Sequence, residues 1–572
     1  MFVALPLRTG LRTGLRTGLA ALICAAFAVT AHAQPAKTDA KPAKEPVTPP
    51  TGAMDTKEWL KASTAALKPG EIDRLIGNQL KKVGVKPAAL ANDELFMRRV
   101  YLDLTGRLPM PADIKDFLKD KSEDKRAKLI DKLLDSEDYA EHWSRYWRNV
   151  IGSKVTDFKG QFGARGFDVW MKEQFQTNRG WGEITREMLT AGGTIDLDDP
   201  LKNGQAWFLS TRFGMDSPTE LAAETSRIFL GIQIQCAQCH DHPSDVWKRK
   251  QFHEFAAFFA RTREQPIFDR EKKRFTSVKL ISLPFAEHLM PTGGDPKKGK
   301  PVHPTFLDGK SPGERLTDYQ RRKALAIAIV AKDNPWFAGA FVNRMWGLLL
   351  GQSFYQPIDD LGPMKEAAMP EVIARISGSF RGHDYDIKQL LRDIMNSETY
   401  QRETRRGDSP EEHLLFTGRN PVRMDADTLW NTLVCSLGAF PGPQFGPKGP
   451  AGPFARFAGL EGQFKQEFGF DPSSKAEEIE GSIPQALMLM NNPQISNKIR
   501  ATGTNLLARI LSAYPDNDEA LTMVYLRTLA RHPSAKELSR CRQHIEGVTT
   551  RAEAFEDILW ALINSTEYQT NR

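Results

Sequence analysis

Three stretches of the chain stop in the same way, and that ending constrains the fold more than any other feature. Leu133-Leu-Asp-Ser-Glu-Asp-Tyr139, Ile394-Met-Asn-Ser-Glu-Thr-Tyr400 and Leu562-Ile-Asn-Ser-Thr-Glu-Tyr568 each follow an amphipathic run. Each reads as a helix stop, then a Ser/Asp/Glu turn, then a Tyr that packs back on the helix just ended. Two of them also share what precedes them. Val100-Tyr101-Leu102 with Arg107-x-Pro109-x-x-x-Asp113 matches Val524-Tyr525-Leu526 with Arg531-x-Pro533-x-x-x-Glu537. The period is irregular, so the pattern predicts a recurring helical module and not a long solenoid. The three Tyr then have a structural part, not a catalytic one.

Helical periodicity runs through most of the rest. Apolar residues at 72, 75, 76 and 80 share one helix face. Asn92-Asp93 predicts a cap for a helix through Tyr101, and 126–134 and 140–150 read the same way. Ser217-Pro218-Thr-Glu220 opens a helix over 221–232, with Pro in the first turn. Residues 262–315 break the pattern: 275–283 is β-like, and Gly, Pro and Lys crowd 291–313. The fold class predicted is mainly α, as two helical domains (57–261 and 316–572) joined by a small β-containing connector (262–315). Residues 440–454 form a Gly/Pro loop inside the second domain.

The N-terminus reads as an address. Arg8, Arg12 and Arg16 precede a short apolar run, Leu19 to Val29, which ends in Ala31-His32-Ala33. That is a cleavable signal peptide over 1–33, which predicts a periplasmic or secreted protein. Ile23 ahead of Cys24 argues against a lipoprotein Cys. A Pro/Ala/Lys-rich linker, 34–56, follows. Cleavage takes away three Arg and no acid, so the net charge falls from +7 to +4. With no aromatic-interleaved basic stripe, that predicts no nucleic-acid partner. No apolar run reaches the ~20 residues of a spanning helix. The 11 Trp and 32 Phe fill large cores and exclude a disordered chain, and five Cys exclude a disulfide scaffold.

The segment that carries chemistry is Cys236-Ala-Gln-Cys239-His240-Asp241-His242-Pro243. Cys-x-x-Cys-His is the attachment pattern for c-type haem. Two thiols three apart meet the two vinyl groups on one porphyrin edge, and His240 then lies under the iron as axial ligand. No sixth ligand stands out among Met215, Met290, His242, His253 and His288. Pro243 holds His242 extended and away from the iron. Asp241, or a backbone carbonyl, would orient an imidazole from behind. Three other readings compete, of which the third, reduced core cysteines, is disfavoured by export. Cys236, Cys239, His240 and His242 form a cramped set for Zn or another divalent metal, in which His253, His142 or His288 would replace one ligand. Alternatively, Cys236 and Cys239 form a disulfide. Trp247, Phe252, Phe255, Phe258 and Phe259 recur at helical spacing and read as core first and as cofactor walls second. The spacing of Cys435 and Cys541 leaves their state open.

The stretch CAQCHDHPSDVWKRKQFHEFAAFF (236–259) resembles the signature of a planctomycete-type secreted cytochrome-like family. Its members pair an N-terminal cytochrome-like domain of unknown function with a C-terminal partner domain of unknown function. Tyr101-Leu-Asp-Leu-Thr-Gly-Arg-Leu-Pro109, Phe341-Val-Asn-Arg-Met-Trp346 and Gln356-Pro-Ile-Asp-Asp360 extend the resemblance over 60–572. The family usually has Phe where Ser244 stands. The resemblance implies export and a haem-type motif, and it implies no reaction. Many relatives carry a further N-terminal cytochrome domain; without it the electron partner is another protein. Asn343, Arg344, Trp346, Asp359 and Asp360 match the partner domain. Arg344 and an Asp would either line a polar pocket or form a buried ion pair and a helix cap. Adjacent carboxylates are a poor acid/base pair unless the fold turns both inward.

Two functions follow as expectations. The first is an exported electron carrier using heme c at Cys236, Cys239 and His240. The second is an exported binding or scaffold protein with a structural metal at the same cluster, recognising a cell-surface partner or glycan. A hydrolase with a metal-activated water would have only Glu254 and Asp241 nearby as base. No G-x-S-x-G or P-loop pattern occurs.

Overall fold

A computed structural model of the chain describes residues 51–572, except 54, 156, 200, 293–294, 406–413, 442–458 and 476–477. The segment 1–33 read as a signal peptide, the predicted linker up to residue 50, and most of the Gly/Pro loop lie outside the described residues. The chain is mainly α, with short strands in small separate sheets.

The helix signals act where the residues put them. The Asn92 side chain accepts from Leu95 N at 2.9 Å and opens the helix Asp93–Thr105, which ends on Gly106 in the left-handed region. Pro111 opens Pro111–Lys119. The helix predicted over 221–232 spans Ser217–Thr225, widens into a π turn over Ser226–Leu230, and stops at Gly231. Gly231 has φ +66°, and a Cβ there would meet Leu361 Cδ1 at 2.9 Å, so both the turn and the packing require glycine.

The repeated ending is one local structure built three times. Ser136, Ser397 and Ser565 donate to Leu133 O, Ile394 O and Leu562 O at 2.7, 2.6 and 2.6 Å. Each serine oxygen also accepts from the amide three residues on, that of Tyr139, Tyr400 or Tyr568, at 3.2 Å. All three Tyr rings are buried. The two longer copies also share an ion pair: Arg107 Nε meets Asp138 at 3.1 Å, and Arg531 Nε meets Glu567 at 2.8 Å.

The connector does hold strands. Thr262–Asp269 and Arg274–Ser282 pair antiparallel, and Gly193–Asp196 from the first helical stretch joins Arg274–Ser282 on its other edge. His288–Thr292 and Asp295–Val302 make a separate hairpin. The linker read as 34–56 already contains structure at its end: strand Thr51–Ala53 pairs antiparallel with Glu366–Ala368.

The two helical stretches share one continuous buried core. Trp147 and Trp181 lie 4.2 Å apart between ring centroids, Trp147 stacks on Phe341 at 5.7 Å, and Phe341 stacks on Phe380 at 5.0 Å. Polar contacts cross as well. Asp73 accepts from Glu398 N and Thr399 N at 2.9 and 2.8 Å, at the start of the helix Glu398–Gln401. Arg98 donates to the carbonyls of Thr528, Glu567, Tyr568 and Thr570. Arg99 donates to those of Tyr400, Arg402 and Arg572. Burial pushes both guanidiniums down, Arg98 to about 10 and Arg99 to about 9.

Candidate functional site

The Cys-x-x-Cys-His segment begins as a 3₁₀ turn, Ile234–Gln238, and period three sorts its side chains. Ile234 and Ala237, three apart, are buried. Cys236 and Cys239, also three apart, are exposed, and both thiols are free. The core thus grips one edge of the turn and leaves Cys236, and Cys239 at its C-cap, on the same open side.

His240 follows, exposed, with Nδ1 2.7 Å from the carbonyl of Asp241. A carbonyl only accepts, so Nδ1 carries the proton and Nε2 is left as a ligand nitrogen. The backbone of Asp241, not its side chain, orients this ring. The Asp241 carboxylate accepts from Arg249 N at 3.0 Å and pairs with Lys248 at 3.1 Å, at the start of the helix Arg249–Ala256. Those two contacts, Arg249 N–H first, hold its pKa below the usual range. His242 is folded onto its own loop: its amide donates to Trp247 O at 2.8 Å, and its Nδ1 accepts from Ser244 N at 3.3 Å.

Side chains from the second helical stretch hold the approach to the turn. Gln233 Nε2 donates to Asp359 Oδ1 at 2.8 Å, and Leu361 N donates to Gly231 O at 2.6 Å. Asp359, only 2% exposed, pairs with Arg227 at 3.0 Å and lies 3.8 Å from Arg344, itself 2% exposed. Arg227 also binds Glu224, at 2.6 Å, and Ser473, at 2.8 Å. Burial opposes the Arg227 charge, but Glu224 and Asp359 outweigh it and hold the guanidinium pKa above its usual value. Asp360 turns the other way, to Lys365 at 2.9 Å. Arg344 and Asp359 are therefore a buried ion pair, and the adjacent carboxylates diverge.

From behind, the helix Arg249–Ala256 holds the carbonyl of Gln238. His253 Nε2 lies 3.0 Å from it and Arg249 Nε 3.3 Å. His253 Nδ1 lies 2.9 Å from Nε2 of His288, on the hairpin strand. Both His253 nitrogens are thus used within the protein. His142 is elsewhere, in the helix Glu137–Gly152, and Glu254 is paired with Lys250 at 3.2 Å. Among the described residues no three His, Cys, Asp or Glu side chains gather as a metal site. The aromatic residues Trp247, Phe252, Phe255, Phe258 and Phe259 are all buried in the core. An apolar cavity of about 590 Å³ opens beside Val246, Trp247, Phe258, Phe306 and Trp336, and Cys236, Cys239 and His240 do not line it. Cys435 and Cys541 are free and half-buried.

The donor set itself suits haem c: two free, accessible thiols on one side of a turn, then an imidazole with its distal nitrogen available. Sequence reasoning missed Arg227, Gln233 and Gln238. Arg227 had a visible signal, a cation directly ahead of the apolar run Ile228-Phe-Leu-Gly-Ile232 and three residues after Glu224. The two Gln had none.

Residues 71–264 match the family PSCyt2, described as protein of unknown function (DUF1549). Residues 321–545 match PSD1, described as protein of unknown function (DUF1553). Nothing among curated proteins or solved structures matches the chain.

Proposed function

We propose that this chain, which belongs to the family pairing DUF1549 with DUF1553 in that order, is an exported electron carrier of the c-type cytochrome kind. The observation that carries the reading is the 3₁₀ turn that presents Cys236 and Cys239 on one exposed side, followed by His240 with Nδ1 tied back to Asp241 O. Cys236 and Cys239 would hold haem c by thioether bonds, and His240 Nε2 would ligate its iron. The bound group supplies reversible one-electron chemistry.

The chain's own residues supply placement. Asp359, through Gln233, anchors the segment entering the turn. Asp241 anchors the segment leaving it: its carbonyl faces His240 Nδ1, and its carboxylate holds Arg249 N. The exposure of both sulfurs favours exchange with a second protein at the surface, and the reading therefore needs a separate redox partner outside the cytoplasm.

The test is to express the chain with its own N-terminus in a host that matures cytochromes c. Covalent haem on a denaturing gel and a c-type pyridine haemochrome spectrum are expected, both lost in Cys236→Ala/Cys239→Ala. Folded, exported protein without haem would overturn the reading.

A further inference from the structure

We propose that His253 is a positioning residue for the thiol turn, acting through the carbonyl of Gln238 with His288 as its support. The inference rests on the reading of Cys236, Cys239 and His240 as the reactive site.

Gln238 lies between the two thiols and closes the 3₁₀ turn, Ile234–Gln238. Carbonyls at the end of a helical turn lack a partner within it. Here the partner comes from outside: His253 Nε2 at 3.0 Å, backed by Arg249 Nε at 3.3 Å. A carbonyl only accepts, so Nε2 of His253 carries a proton. In the neutral ring Nδ1 is then an acceptor, and Nε2 of His288, 2.9 Å away, must be its donor. One chain of hydrogen bonds thus fixes both tautomers, from the hairpin strand His288–Thr292 to the backbone between the sulfurs. His253 is only 1% exposed, so its ring is shielded from bulk solvent.

The neighbouring charges support the neutral state. Burial lowers the pKa of both rings, His288 to about 4; the bond to Gln238 O opposes this at His253 and Arg249 adds to it, while His253 and then Arg263 add to it at His288. The hairpin is held to the same helix a second time, by Arg249 donating to Pro291 O at 2.7 Å. None of these hydrogen bonds ends on a sulfur or on the His240 ring. Its effect is on where the turn holds Cys236 relative to Cys239.

A probe that reads the thiol pair without haem tests this. Phenylarsine oxide takes two neighbouring thiols at once: two As–S bonds form, and the arsenic-bound oxygen leaves as water with the two thiol protons. Its binding to the full chain is measured by titration, with Cys236→Ala/Cys239→Ala as the blank. His253→Leu removes both hydrogen bonds and is expected to weaken capture tenfold or more. His253→Gln can donate to Gln238 O and accept from His288, and is expected to stay within threefold of the natural chain. His253→Leu binding within twofold of the natural chain overturns the proposal, as does a His253→Gln as weak as His253→Leu. Should His253→Leu fail to fold, His288→Leu is read instead. It is expected to weaken capture at least threefold, with recovery in His288→Gln; an unchanged His288→Leu overturns the proposal. Absence of haem with the arsenical pattern intact would overturn the electron-carrier reading alone.

Discussion

Gln233 donates its side-chain amide to Asp359 at 2.8 Å, 126 residues away, and so the second family domain sets the position of the thiol turn in the first. The same carboxylate balances Arg227 and faces Arg344. Replacing Asp359 by Ala leaves two buried guanidiniums short of their counter-charge. The expected loss of stability is about 3–5 kcal/mol, the usual result of removing one partner of a buried pair. Urea unfolding followed by tryptophan fluorescence checks it; a change below about 1 kcal/mol would show that Glu224 and Ser473 suffice.

Gly231 sits where the π turn ends and the thiol segment begins. Gly231→Ala puts a side chain on a backbone with φ +66° and a Cβ 2.9 Å from Leu361 Cδ1. Left-handed strain alone is worth roughly 1–2 kcal/mol. The variant is expected to lose at least that much stability and, under the proposed electron-carrier reading, to incorporate less haem. Normal stability with normal haem content would contradict this.

The three serine stops make a matched set. Ser136→Ala, Ser397→Ala and Ser565→Ala each remove an acceptor for a helix-start amide, at a cost of about 1 kcal/mol. Ser397 is the most buried and should cost most. The three losses should add in the triple variant, since the serines end different copies of the module. Denaturant midpoints of the four variants measure this directly.

Glu264 bonds to Ser217 through one oxygen at 2.8 Å, while its other oxygen is buried without a partner. Burial pushes its carboxyl from 4.5 up to about 7. The folded chain therefore binds more protons than the unfolded chain between those values. Stability from this group is full below pH 4.5, falls as pH rises through 7, and is flat above. Glu264→Gln should match the natural chain in thermal stability at pH 4.5 and exceed it at pH 8, by at most about 3 kcal/mol. Equal curves at both pH values would refute the assignment.

Much of the fold is legible in the residues because its signals are local. Asn92 caps, Gly106 stops, and Ser136, Ser397 and Ser565 announce the module, all within four residues of their targets. The thiol motif is legible for the same reason. What joins these pieces is not. Arg98 and Arg99 bind backbone carbonyls, which any sequence supplies, so no complementary residue marks them. His253 looks like a ligand from its neighbourhood, and the structure instead occupies both of its nitrogens with Gln238 and His288. Asp241 looks like the partner of an imidazole by its side chain and serves by its carbonyl, because its carboxylate is taken by Arg249 N.

The grip of Arg98 on Tyr568 O spans 470 positions of the chain, and Arg99 reaches Arg572 O over 473. Thr528 O receives part of Arg98, and Tyr400 O and Arg402 O part of Arg99; residues 567–572 complete both sets. Native burial of the helix Asp93–Thr105 therefore depends on contacts 301 to 473 positions away, which makes it a slow, non-local step despite strong local helix signals.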